Sequence, residues 1–446
     1  MLKQALCIFI LLSCLLINQP ATLASQLLNE LSEAELIALA AGNCKATYSD
    51  RAAASLFNLS KYYSLDLEPF IIESKILNTN FIFAQRINPV KNTNFYILAF
   101  RGSESKQDWI LNFKTAKVPY QVETSPTDIA DKQNQAMVHK GFNEYAKLAL
   151  EVTDQQGKKL TDFLVEDPSA PIIITGHSLG GAVATLYASR LLDLGVPAER
   201  IQVITFGAPE VGNSAYANKF QDRLPLLRIT SSQDLIPISL NKFVGGYKNF
   251  GKHLEYKAKL TKYSYADQHS MSFYFSESLK RYYDLYQQAL NSKLLAPPTN
   301  SQLTADYALV AIYNDYTAAL KKIPDYPYLK LLLDDQMRKF VPSYILLNNN
   351  LTVSTTNIYE MLPQINSVAK THQARYLLIN QVDTALNSDT EKRSLIFSYV
   401  LLDLNTNQVL TTATYSSSLA SYNGILQTLI QTSQSIPSVL KQFTLN

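Results

Sequence analysis

The chain has 446 residues, 47% of them hydrophobic and 17% charged, which is ample apolar content for a buried core and predicts two or three domains. Its 40 basic residues are interspersed with 37 acidic ones, for a net charge of +3. No basic block stands out, which argues against a nucleic-acid partner.

The N-terminus reads as a leader. Lys3 precedes an apolar run over residues 5–17, too short to span a bilayer, which needs about 20. Thr22-Leu23-Ala24 then offers small residues where a signal peptidase reads, so cleavage is expected after Ala24 and residues 1–24 are expected to be a signal peptide. Leu11-Leu12-Ser13-Cys14 offers an alternative, a lipoprotein anchored through Cys14. Both predict an exported protein, secreted or periplasmic. Cys7 and Cys14 lie in the leader, so Cys44 stands alone in the mature chain and is expected to be a buried structural thiol. It follows an amphipathic segment opened by Ser32-Glu33-Ala34-Glu35, a capping-box pattern that predicts a helix start.

Strands are predicted over 81–87, 95–100, 172–175, 203–206 and 226–230, and helices over 142–166, 179–193, 215–222 and 272–292. Apolar strands alternating with helices predict a mainly parallel α/β sheet covered on both faces. "LLAPPTNSQLT" then marks a boundary between a first domain, 25–295, and a second, 303–446. In the second, "KFVPSYILL", "ARYLLIN", "SLIFSYVLLD" and "QVLTTATY" read as strands, the last two joined as a hairpin by Asn405-Thr406-Asn407. Helical stretches over 358–370 and 425–443 complete a small α+β domain.

One segment carries chemistry. In "PIIITGHSLGGAVATLYASRLLDLG" an apolar strand breaks on Gly176-His177-Ser178-Leu179-Gly180 and a small-residue helix follows at once. A serine wedged between strand and helix sits on a strained turn that lifts its hydroxyl out at the C-terminal edge of the sheet. The two glycines remove side chains that would collide where the elements close together. The N–H of Leu179, at the helix start, then faces any oxyanion forming beside Ser178.

A serine nucleophile needs a base and an orienting carboxylate. Of the five histidines, His177 adjoins the serine, His139 precedes it and His372 lies beyond the boundary. His253 and His269 remain, both downstream, as the order Ser, Asp, His requires. In "LLRITSSQDLIP" a strand ends near Thr230 and Asp234 sits in the turn stopped by Pro237, which makes Asp234 the candidate carboxylate. Asp222 and Asp267 are rivals for that role.

Five blocks in order resemble the class 3 lipase family of α/β-hydrolases, over roughly 30–275: "FRGSESKQDWILNF", "VHKGF", "TGHSLGGA", "TFGAPEVGN" and "RITSSQDLIP". The resemblance implies an α/β-hydrolase fold, with Ser178 as nucleophile, Asp234 as acid and His269, in "ADQHSMSFYF", as base. It also implies that Ser103 shares the oxyanion with the Leu179 N–H, and that Trp109, the only tryptophan, lies in a lid helix. The family usually has a histidine close behind a Gly-Tyr pair. Here Asn249 occupies that place and His253 is displaced, so His253 stays an alternative base.

The chemistry so implied is acyl transfer from a carboxylic ester to water, with no metal or organic cofactor. The substrate class implied first is a triacylglycerol, with phospholipase A1 or a short-chain carboxylesterase as alternatives. A lid mixing Glu104, Lys106, Gln107 and Asp108 with Trp109, Ile110, Leu111 and Phe113 would meet a lipid–water interface. A non-catalytic lipid- or envelope-binding protein on the same scaffold is a further alternative. The second domain distantly resembles sheet domains of exported bacterial envelope lipoproteins. It is expected to dock an envelope component, a protein partner or the first domain itself.

Overall fold

The protein is described by a computed structural model covering residues 2–48, 70–74, 79–88, 93–102, 116–121, 135–153, 157–257, 268–296, 308–323, 325–341, 343–349, 358–386 and 393–418. Expectations for Ser103, the segment around Trp109, Asp267 and the helix over 425–443 lie outside these residues.

In chain order the described elements are α1 (Leu2–Ala46), β1 (Phe70–Ser74), β2 (Thr79–Asn88), β3 (Thr93–Phe100), β4 (Lys117–Pro119), β5 (Met137–His139), α2 (Lys140–Glu151), α3 (Leu160–Glu166), β6 (Ile172–His177), α4 (Leu179–Asp193), β7 (Ile201–Phe206), α5 (Ser214–Phe220), β8 (Leu226–Ser231), α6 (Ser239–Phe243), β9 (Lys252–Tyr256) and α7 (Met271–Asn291). A second group follows: β10 (Val310–Tyr316), α8 (Tyr326–Phe340), β11 (Tyr344–Leu346), α9 (Ile358–Thr371), β12 (Tyr376–Leu386), β13 (Arg393–Asp403) and β14 (Gln408–Ser418).

The main sheet has the order β1-β2-β3-β6-β7-β8-β9. Its first three strands are antiparallel, and β3, β6, β7, β8 and β9 run parallel. This is a mainly parallel α/β arrangement, as the alternation of strands and helices predicts. Every residue of β6 is buried, because helices cover both faces and an unbroken apolar run has no solvated side. Ile172, Ile174 and Val203 pack with Phe142, Tyr145, Ala182, Val183 and Leu186 of α2 and α4. Ile173, Ile204 and Ile229 face the other way, onto Ile37–Cys44 of α1 and Phe273–Tyr283 of α7.

The second sheet, β11-β10-β12-β13-β14, is an additional C-terminal domain. Met361, Ile365 and Ala369 of α9 cover one face, against Ala311, Tyr313 and Leu377. Its other face packs toward the first sheet's side of the molecule. Val310, Ile312, Leu329, Leu333 and Phe397 belong to the same buried cluster as α1, α7 and the main sheet. Polar contacts reinforce the join: Lys280 pairs with Asp325 at 2.9 Å, both side chains largely buried, and Tyr328 Oη donates to Asp284 Oδ1 at 3.0 Å.

Several local expectations are corrected. Ser32 is not a helix start, because α1 already runs from Leu2 and no proline interrupts residues 21–46. Glu33 instead pairs with Lys252 of β9 at 2.6 Å. The single helix over 142–166 is two, α2 and α3, parted where Thr153 bridges to Lys159 and Gly157 takes φ +80°. In "KFVPSYILL" the strand begins only at Tyr344. Leu329, Leu332, Leu333, Gln336 and Met337 are buried at helical spacing, which carries α8 through Phe340.

His139 caps α2, accepting at Nδ1 from the Phe142 N–H (3.3 Å), and burial pushes its imidazole down to about 4. An imidazole held unprotonated when folded takes up its proton near 6.5 when unfolded, so the unfolded chain binds more protons between those values. Stability therefore falls as pH drops from about 6.5 to 4, by roughly 3 kcal/mol from this residue alone. In His139→Asn, which keeps a capping acceptor, urea unfolding at pH 7 and 4.5 is expected to differ less than in the wild type by about that amount.

Candidate active site

Ser178 sits between β6 and α4 at φ 56°, ψ −128°, a left-handed conformation that costs a non-glycine residue about 1–3 kcal/mol. The surrounding packing holds it there. A Cβ on Gly176 would stand 2.2 Å from the Gly180 carbonyl oxygen, and one on Gly180 would stand 2.2 Å from that of Phe100. Strand, turn and helix close to distances that tolerate no side chain. The Ser178 N–H is tied to the Phe206 carbonyl of β7 at 2.9 Å, which fixes the turn to the sheet edge.

Asp234 follows β8 in a turn closed by its own N–H on the Ser231 carbonyl, and its side chain is almost fully buried. Three donors hold the carboxylate. Oδ1 accepts from the Ile236 N–H at 3.0 Å, and Oδ2 accepts from Tyr274 Oη at 2.6 Å and from His269 Nδ1 at 2.7 Å. Tyr274 Oη in turn accepts from the Ser231 N–H at 3.1 Å. Because Oδ2 can only accept, Nδ1 of His269 carries the proton and Nε2 is free to accept. Nε2 stands 2.9 Å from Ser178 Oγ.

The sequence candidates thus separate. Ser178, His269 and Asp234 come together in one hydrogen-bonded line. His253 does not join them: it lies on β9, with Nε2 2.7 Å from Thr230 Oγ1. Asp222 is exposed in the turn after α5, and His372 is exposed after α9. Leu179 opens α4, whose backbone bonding begins with the Gly181 N–H on the Ser178 carbonyl, so the Leu179 N–H has no acceptor within the helix. On the other side, a Cβ on Gly102 would lie 3.1 Å from Ser178 Cβ, so the chain leading to Ser103 passes beside the serine.

Cys44 is fully buried, 3.1 Å from Thr175 Oγ1, and burial pushes its thiol up to about 12, so it stays protonated. Sequence reasoning missed two groups. Tyr274 is one of 27 tyrosines, and nothing in its spacing marks it as a donor to Asp234. His177 was set aside as the residue beside the serine, yet it is buried with its Nε2 2.7 Å from the His269 carbonyl oxygen.

Among the described residues no cluster of three or more His, Cys, Asp or Glu stands ready for a metal ion, and no helix is long and apolar enough to cross a membrane. What the arrangement can do is activate a hydroxyl. His269 is placed to take the Ser178 proton while Asp234 steadies the resulting imidazolium.

Residues 97–243 match the family described as Lipase (class 3). Secreted mono- and diacylglycerol lipase A of Penicillium cyclopium is 32% identical over 141 residues, 32% of this chain and 41% of that protein. Phospholipase A(1) DAD1, chloroplastic, of Arabidopsis thaliana is 28% identical over 144 residues, 31% of this chain and 32% of that one. The Rhizomucor miehei triacylglyceride lipase structure superposes with a TM-score of 0.38 and 24% identity, over 52% of this chain and 80% of that one. The chain therefore spans less than half the length of the two curated relatives. The matched segment runs from β3 through the serine elbow to α6, and over it the chain is similar to the class 3 lipases.

Proposed function

We propose that this protein is a serine ester hydrolase acting on lipid carboxylic esters, an acylglycerol lipase by first assignment. One observation carries the reading: Ser178 Oγ, His269 and Asp234 lie in a single line of 2.9 Å and 2.7 Å hydrogen bonds on a strained elbow. Ser178 attacks the ester carbonyl, His269 takes its proton and returns it to the leaving alcohol, and Asp234 holds the imidazolium. The oxyanion is held by the Leu179 N–H at the head of α4 and by Ser103, whose hydroxyl the family resemblance assigns there. Water then cleaves the acyl-enzyme by the same route.

Lipid as substrate is supported by the apolar side chains that follow Asp234 in sequence. Leu235, Ile238, Phe243 and Val244, within ten residues of it, are 44%, 47%, 72% and 52% exposed, the kind of surface an apolar ligand would shield from water. Trp109 in a lid and export after Ala24 belong to the same reading, supported by relatives that include a protein named as a secreted lipase. Phospholipase A1 is the second reading, favoured by the relative of that name.

A hydrolysis panel tests this: emulsified tri- and diacylglycerol, phosphatidylcholine vesicles and a dissolved short-chain p-nitrophenyl ester. Hydrolysis of the emulsions exceeding that of the same ester below its solubility limit is expected. Cleavage of phosphatidylcholine alone moves the assignment to phospholipase A1, and turnover of no ester overturns the enzyme reading.

A further inference from the structure

The end of α1, the end of β3 and the loop carrying His269 meet at the buried ring of His177. Its Nε2 lies 2.7 Å from the His269 carbonyl oxygen. That oxygen can only accept, so Nε2 carries a proton. Its Nδ1 lies 2.8 Å from Tyr48 Oη, and Tyr48 Oη accepts from the Gly102 N–H at 2.9 Å. Burial and the neighbouring His269 ring, 4.8 Å away, hold the His177 imidazole well below its usual pKa, so it is neutral and Nδ1 accepts. Every proton then has one place: Gly102 N–H to Tyr48 Oη, Tyr48 O–H to His177 Nδ1, His177 Nε2–H to the His269 carbonyl. The chain has a fixed direction because its two ends are backbone groups that cannot exchange roles.

We propose that Tyr48 and His177 are positioning residues that lock the backbone of His269 to the Gly102 side of the site, so that base and oxyanion-holding segment keep one mutual geometry. This rests on the ester-hydrolase reading above. Neither side chain is hydrogen-bonded to Ser178 Oγ or to the His269 ring nitrogens, and each is hydrogen-bonded to another residue's backbone, the Gly102 N–H for Tyr48 and the His269 carbonyl for His177. The geometry explains why a histidine stands before the nucleophile: a buried side chain there must donate to one carbonyl and accept from one hydroxyl on opposite sides of a small ring. The close fit at Gly102, where a Cβ would lie 2.5 Å from Tyr48 Oη, shows how little slack the tyrosine has.

The test uses the full chain and four variants: Tyr48→Phe, His177→Leu, His177→Gln and the Tyr48→Phe/His177→Leu double. Turnover of a dissolved short ester and the rate of Ser178 labelling by a fluorophosphonate are read separately. With the base displaced by a fraction of an ångström, kcat is expected to fall about 10- to 100-fold in His177→Leu while KM stays within about twofold. Tyr48→Phe, which removes one oxygen and keeps the packing, is expected to fall about tenfold. The double variant is expected to match the worse single one within about threefold, because both cut the same chain. His177→Gln offers an amide N–H toward the His269 carbonyl and is expected to recover part of the loss.

Proton NMR supplies a reading that needs no turnover. The low-field resonance of the His269 Nδ1 proton is expected to shift or broaden in His177→Leu and to return in His177→Gln. Wild-type kcat in folded Tyr48→Phe and His177→Leu, a loss confined to KM, or losses that multiply in the double variant would each overturn the proposal. Should His177→Leu fail to fold, Tyr48→Phe and His177→Gln carry the same comparison. If the wild type itself hydrolyses no ester and takes no label, the hydrolase reading is what fails. An unchanged His269 resonance across the variants would then decide against the positioning role as well.

Discussion

Replacing Ser178 by alanine is expected to lower ester turnover by roughly a factor of a million with the fold intact, because no other group on the elbow can form the acyl bond. The substitution removes one oxygen from a position whose strain lies in the backbone, at φ 56°, and the anchoring bond from the Ser178 N–H to the Phe206 carbonyl is unaffected. Stability should therefore change by no more than about 1 kcal/mol, the scale of one hydrogen bond. Thermal unfolding followed by circular dichroism checks the fold, and initial rates on a dissolved ester check the chemistry. Retention of more than a hundredth of the wild-type rate would remove Ser178 from the role of nucleophile.

The second large effect separates two histidines 16 residues apart. His269→Ala is expected to be as damaging as the serine change, since it takes away the acceptor 2.9 Å from Ser178 Oγ and one of the two donors to Asp234 Oδ2. That carboxylate keeps the Tyr274 and Ile236 donors, so the protein should remain folded. His253→Ala removes only the bond to Thr230 Oγ1 on a half-exposed strand, and a loss below about tenfold in rate is expected. Comparison of kcat for the two variants, with melting curves to confirm folding, settles the base. Equal and severe losses, or the reverse order, would transfer that role to His253.

The elbow was legible in the sequence because everything that shapes it is local. An apolar run, a glycine on either side of one serine and a small-residue helix leave the chain a single way to turn, and Gly176 and Gly180 indeed meet backbone at distances that admit no Cβ. The core strands and α4 were readable for the same reason: hydrophobic period and unbroken apolar runs are properties of neighbours in sequence. Short or mixed elements were not. β9, with its exposed Lys252 and His253, and the amphipathic α8 carry signals that burial completes only after distant elements pack on them.

By itself, then, the sequence determined the α/β class and the strained serine, both consequences of contacts a few residues long, while the acid and the base followed only from the family resemblance. Only the tertiary structure decided which histidine stands beside Ser178. The parallel register of β8 and β9 sets His253 opposite Arg228, where it bonds to Thr230, while the start of α7 brings His269 across the sheet edge to Asp234. It likewise placed side chains of the C-terminal sheet in one buried cluster with α1, α7 and the main sheet, a contact that no local pattern announces. Composition marks where a chain can bend. Burial of apolar faces, which depends on partners hundreds of residues away, decides whether what lies beyond the bend stands apart.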